Sequence, residues 1–208
     1  KSEDEIVLIF EDADRAKEWT ETLAKHFHGG KDGEDTILYK VKWVLVPDSS
    51  LIRSAGDMSY LMKYMNGVQN LSLEENNILI VDEKLISQMY EEKAMEKLLD
   101  IALEKDWVEV YYQPIFHVND RSFKAAEALV RIRDENGNIV APYKFIPIAE
   151  KSGKILKLGK RVFEKVCQFI REERIEQYGL QYIEVNLSAV QCSDETLADT
   201  YISIMEKY

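Results

Sequence analysis

Between Ala125 and Ile132 the chain reads Ala-Ala-Glu-Ala-Leu-Val-Arg-Ile, a stretch with few ways to fold. Side chains of a strand alternate between two faces, so Glu127, Leu129 and Arg131 share one and Ala126, Ala128, Val130 and Ile132 the other. The second set is small and apolar, which suits a surface lying under helices. The first set points a carboxylate and a guanidinium to the side where an α/β barrel keeps its mouth. The simpler alternative is an internal ion pair that holds the strand in place.

Neighbouring segments supply partners. Val108 to Ile115 reads as a strand that ends at Pro114, and Phe123 to Arg133 as a strand closed by the turn Asp134-Glu135-Asn136-Gly137-Asn138. Leu158 to Glu172 has the helical pattern, with Val162, Phe163, Val166, Phe169 and Ile170 on one side. Tyr182 to Asn186 repeats the strand alternation, Ile183 and Val185 against Glu184 and Asn186. Ser193 to Lys207 reads as a helix with Leu197, Tyr201 and Met205 inward. Alternating strands and helices imply an α/β architecture with parallel strands. Asn186 then falls at a strand's carboxyl end, where such folds collect ligands. Its amide oxygen and the Glu127 carboxylate are hard donors suited to Mg²⁺ or Mn²⁺. A turn-forming Asn that caps the next segment is the competing reading.

The first part of the chain has its own pattern. Ile6 to Phe10 reads as a buried strand, followed by an amphipathic helix with Ala16, Trp19, Leu23 and Phe27 that Gly29-Gly30 ends. Ile37 to Val46 reads as a strand, Met58, Leu61, Met62 and Met65 lie on one face of a helix, and Ile78 to Val81 is a further strand. A helix from Glu83 to Lys105, free of Gly and Pro, reads as a connector. The division is thus 1–82, 83–105 and 106–208.

Charge narrows the function. A net charge of −11 repels phosphate polymers, so no nucleic-acid polymer is expected as partner. A small anionic ligand would need a local arginine, metal or helix N-terminus. Cys167 and Cys192 lack metal-ligand spacing and read as buried thiols of a reducing, cytoplasmic setting. No apolar run reaches the ~20 residues of a membrane span, although segments outside this sequence could attach a longer protein to a membrane. His26 and His28 do not share a helix face, His117 reads as a loop residue, and Trp19, Trp43 and Trp107 as core.

Four blocks in order, Tyr111-Tyr112-Gln113-Pro114-Ile115, Glu127-Ala128-Leu129-Val130-Arg131, Phe145 to Gly153 and Val185-Asn186-Leu187-Ser188, resemble successive motifs of the EAL family across Trp107 to Tyr208. The resemblance implies a TIM-type barrel that hydrolyses cyclic di-GMP to linear pGpG with Mg²⁺ or Mn²⁺. By position it implies that Glu127 and Asn186 are metal ligands, that Gln113 and Leu129 contact the dinucleotide, and that Arg131 binds phosphate. A (β/α)₈ barrel takes ~250 residues. The family's later carboxylates and catalytic lysine would therefore lie beyond Tyr208, and the 208 residues alone are expected to be inactive. An open sheet edge is an association hazard, and pairing of two copies at their open edges, a homodimer, is one outcome it allows.

Ser2-Glu3-Asp4-Glu5-Ile6-Val7-Leu8 is similar to the GGDEF signature with both glycines replaced. A Cβ and an extra carboxylate would clash with and repel a nucleotide phosphate there, which excludes diguanylate cyclase activity. A solvated acidic terminus is the plain alternative. The expected fold class is therefore α/β: an α+β ferredoxin/cyclase-like partial domain, then a partial TIM-type (β/α) barrel. The leading reading is a fragment of a cyclic di-GMP phosphodiesterase with a degenerate GGDEF regulator. A non-catalytic cyclic di-GMP receptor and a structural dimerisation module are the rivals.

Overall fold

The computed structural model describes residues 8, 10–28, 43–67 and 78–208. The GGDEF-like stretch before Leu8, the glycine pair at 29–30 and the expected strand from Ile37 as far as Lys42 fall outside them. The chain forms two compact units that divide between Glu91 and Glu92.

In the first unit, α1 (Ala13–His28), β1 (Trp43–Leu45), α2 (Ala55–Gly67) and β2 (Ile78–Ile80) precede the start of α3 (Glu83–Glu104). β1 and β2 pair in parallel, Val44 opposite Leu79. Ser54 and Asp57 open α2 reciprocally: the Ser54 hydroxyl donates to the Asp57 carboxylate at 2.9 Å and accepts the Asp57 N–H at 3.1 Å. Asp82 opens α3 by accepting from the Leu85 N–H at 2.8 Å. Leu61, Met65, Leu79, Val81, Leu85, Ile86 and Met89 form the core. Trp19 is not core: it is 49% exposed, near the Phe10 ring. The inner stripe of α1 runs through the small residues Ala16, Thr20 and Ala24, leaving the indole outside.

The second unit holds the rest of α3, then β3 (Val108–His117), β4 (Ser122–Arg133), β5 (Ile139–Val140), α4 (Pro142–Lys151), α5 (Ile155–Glu173), β6 (Tyr182–Val185), α6 (Ala189–Cys192) and α7 (Leu197–Lys207). β4 is central. It pairs with β3 and β5 antiparallel and with β6 parallel. The expectation of parallel strands holds for β4 and β6 and is corrected for β3 and β5. Only residues 118–121 join His117 to Ser122, with Arg121 at φ 50, and a parallel crossover needs a dozen or more. β3 also runs past Pro114, with a register shift between Ile115 and Phe116, because an edge strand tolerates proline. His117 therefore ends a strand, and its Nδ1 lies 3.0 Å from Asp120.

One sheet face is apolar and covered. Val108, Ala128 and Ile132 meet Leu99, Ala102, Phe145, Ala149, Leu158, Val162 and Val166 in a single core, with Trp107, Val110, Val130, Ile183 and Val185 packed around it. On α5, Phe163 stacks on Tyr201 at 4.1 Å and Phe169 on Tyr112 at 4.0 Å, while Ile170 is exposed at the margin. The last helix starts at Leu197, after Asp194 accepts from the Thr196 N–H and closes the preceding turn. Met205 is 53% exposed and Ile204 is buried instead. Steps of four drift ~40° each on a helix, so Met205 turns out of the line of Leu197 and Tyr201 whereas a step of seven returns to it. Cys167 is buried, but Cys192, at the end of a short surface helix, is exposed.

Phe145 is fully buried, so Phe145→Ala is expected to destabilise the second unit by about 3–5 kcal/mol in denaturant titrations. Burial, helped by the nearby Cys167, pushes the Tyr112 phenol up to about 12. The unfolded phenol ionises near ~10. Stability is thus complete below that pH and declines as pH rises toward 12, because the folded state binds the proton more tightly. Alkaline melting curves should show the decline, and Tyr112→Phe should flatten it.

Candidate functional site

The other face of the same sheet is polar. Register places Gln113 opposite Glu127, and Glu127 opposite Glu184, so three polar side chains form a row across three strands. Further along β4, Tyr111 faces Leu129 and Glu109 faces Arg131. Asn186 follows directly on β6, and its Nδ2 donates to Glu127 Oε1 at 2.7 Å. Two of the expected site residues, far apart in the chain, are therefore in contact. Gln113 and Glu184 flank them, and Leu129 and Arg131 extend the same face toward the end of β4.

Charge is distributed unevenly on this face. Arg133 donates to Glu109 at 2.6 Å and to the Gly137 carbonyl at 2.6 Å, while the Tyr111 hydroxyl donates to the other Glu109 oxygen at 3.2 Å. The hydrogen bond from Arg133 holds the Glu109 carboxyl below its ordinary range. Arg131 is different. It donates to the Val130 carbonyl at 2.7 Å and its guanidinium sits 5.8 Å from the Tyr111 ring centre. Among the described residues no carboxylate neutralises it. An internal Glu127–Arg131 ion pair, the simpler sequence reading, does not form.

Nor does Asn186 cap the segment after it. Ser188 does, accepting the Gln191 N–H at 3.3 Å while Gln191 Oε1 accepts the Ser188 N–H at 3.1 Å. Asn186 is thereby left to face Glu127. Two contributors went unassigned in the sequence. In the sequence Tyr111 stands in the first motif block with no role of its own, and Gln191 is the fourth residue of a Ser-x-x-Gln capping box.

Whether these residues fit a divalent cation depends on donor type. A carboxylate and an amide at hydrogen-bond distance are oxygen donors of the kind Mg²⁺ and Mn²⁺ take, and Mg²⁺ is commonly held by one or two carboxylates with water completing its shell. The pair fits part of such a site. No cluster of three or more His, Cys, Asp or Glu side chains suited to a metal occurs among the described residues. No helix among them is long and apolar enough to cross a membrane.

Residues 96–208 match the sequence model of the EAL domain. The chain belongs to the EAL family. It is 32% identical over 113 residues to the signaling protein YkoW of Bacillus subtilis, covering 54% of this chain and 14% of YkoW. It is 29% identical over 139 residues to the cyclic di-GMP phosphodiesterase NbdA of Pseudomonas aeruginosa, covering 67% of this chain and 18% of NbdA. The solved PaMucR phosphodiesterase in complex with c-di-GMP superposes with a TM-score of 0.50 at 28% identity, over 55% of this chain and 46% of that one. The chain thus spans less than a fifth of the length of these two curated relatives. Its sheet corresponds to part of a TIM-type barrel and does not close on itself.

Asn186→Asp would set two carboxylates where Asn186 and Glu127 now meet. Without divalent cations the thermal midpoint is expected to fall at neutral pH through like-charge repulsion, and excess Mg²⁺ should restore it. Melting curves with chelator and with Mg²⁺ check this; two superimposable curves would mean the side chains are not held together.

Proposed function

We propose that the complete protein carrying this chain binds cyclic di-GMP on the polar face of β3, β4 and β6 and hydrolyses it to linear pGpG. The observation that carries this reading is the 2.7 Å contact between Asn186 and Glu127, on the same face as the un-neutralised Arg131. Glu127 and Asn186 would hold Mg²⁺ or Mn²⁺, the amide turned so that its oxygen points at the ion. When bound, the metal polarises the phosphodiester and lowers the pKa of an attacking water. Arg131, fixed by its backbone bond and Tyr111, would meet a phosphate with charge-assisted hydrogen bonds. It gives a protein of net charge −11 the local cation an anionic ligand needs. Gln113, within the polar row, and Leu129, next to it along β4, would touch the dinucleotide. NbdA is a cyclic di-GMP phosphodiesterase by name and PaMucR is solved with c-di-GMP, which supports the substrate.

The same proposal makes the first unit a degenerate GGDEF domain that regulates and does not synthesise. The alignment with NbdA, 139 residues long, exceeds the segment 96–208, and the relative MucR is a bifunctional cyclase and phosphodiesterase. Free Cys167 and Cys192 support a cytoplasmic setting. The outer edges of β3 and β6, unpaired among the described residues, are where a second copy would add to form a homodimer.

Hydrolysis of cyclic di-GMP by the complete protein with Mn²⁺ tests the reading. Glu127→Ala should lower turnover by ~10²-fold or more, the scale seen when one group stabilising the transition state is removed. The 208 residues alone should show no turnover. Equal rates for wild type and Glu127→Ala would remove Glu127 from the site, and tight binding without turnover would make the protein a receptor.

A further inference from the structure

Asn186 lies on an exposed segment, so whatever anchors that segment decides where its amide rests. The anchor is Gln191, only 2% exposed. Its Oε1 accepts the Ser188 N–H at 3.1 Å, its own N–H donates to Ser188 Oγ at 3.3 Å, and its Nε2 donates to the Tyr201 hydroxyl at 3.1 Å. Tyr201 is in turn stacked on Phe163 of α5 at 4.1 Å. Space for the amide comes from Gly159 within α5. A Cβ there would stand 2.0 Å from Gln191 Nε2 and 3.2 Å from the Tyr201 hydroxyl. Glycine inside a helix is less stable than alanine, so α5 gives up stability at this point to admit a polar side chain. An apolar residue would fill the same volume without needing partners. The amide instead ties α7, through Tyr201, to the backbone two residues after Asn186.

We infer that Gln191, housed by Gly159 and tied to Tyr201, is a positioning residue that fixes the Asn186–Ser188 segment and so sets the Asn186 amide against Glu127. Its effect on metal binding rests on the reading of Asn186 as a metal ligand. Its effect on the segment does not.

The complete protein is compared with Gln191→Ala, Gly159→Ala, Ser188→Ala and Asn186→Ala by three measurements. These are hydrogen exchange of the 186–188 amides without metal, calorimetric titration with Mn²⁺, and the thermal midpoint. Gln191→Ala and Gly159→Ala should each speed exchange at 186–188 and weaken Mn²⁺ binding by about 10-fold, the lower end of what loss of a supporting shell does to metal affinity. Ser188→Ala, which removes only one bond of the box, should act in the same direction by about 3-fold. Should the buried substitutions prevent folding, Ser188→Ala decides alone. Unchanged exchange at 186–188 overturns the proposal, even where the thermal midpoint falls, since Gln191 would then serve stability only. Asn186→Ala separates the two readings. If it binds Mn²⁺ as the wild type does, the metal assignment fails and exchange still judges the anchor. If it weakens binding while the anchor variants do not, the anchor alone is wrong.

Discussion

β4 has hydrogen-bonded neighbours along both edges, so its only remaining freedom is what its two faces carry. Ala126, Ala128 and Ile132 let the core close on one face. That closure forces Glu127, Leu129 and Arg131 onto the other, whatever their chemistry. A slip of one residue would bury a carboxylate and a guanidinium under α5 and lift the alanines into the polar row. Both outcomes are strongly unfavourable, so the register that builds the core also gathers the candidate site.

That coupling explains what was legible beforehand. The two faces of β4 and β6 follow from period two, and the Asn186–Glu127 contact is what parallel pairing of those strands produces. Strand direction was less legible, because periodicity carries no sense of direction. Only the four-residue join at 118–121 could have shown that β3 runs opposite to β4. Trp19, Met205 and Cys192 were misplaced for a related reason: residue type suggests burial, but the neighbours of a face decide it. The sequence shows α4 as a motif and not as a helix, since Pro142 and Pro147 obscure its pattern.

The polar face keeps its charges sorted by giving them different partners. Arg133 is satisfied by Glu109 and a loop carbonyl, and serves to hold the hairpin. Arg131, two residues earlier on the same face, is steadied among the described residues by a carbonyl and an aromatic ring, which orient it without cancelling its charge. Glu127 likewise meets an amide where a cation would have neutralised it. Neither sorting could be read from the residues singly.

The reversed direction of β3 has a geometric consequence. Because Val108 pairs with Ile132, the polypeptide enters this sheet at the rim toward which β4 carries Arg131, and the Trp107 carbonyl is bonded there to the Arg133 N–H at 3.0 Å. Had β3 run with β4, the inlet would lie at the opposite end, a full strand length away. As built, the three residues between Glu104 and Val108 deliver the chain from α3 to the arginine-bearing rim, where the Trp107 carbonyl ties it to β4.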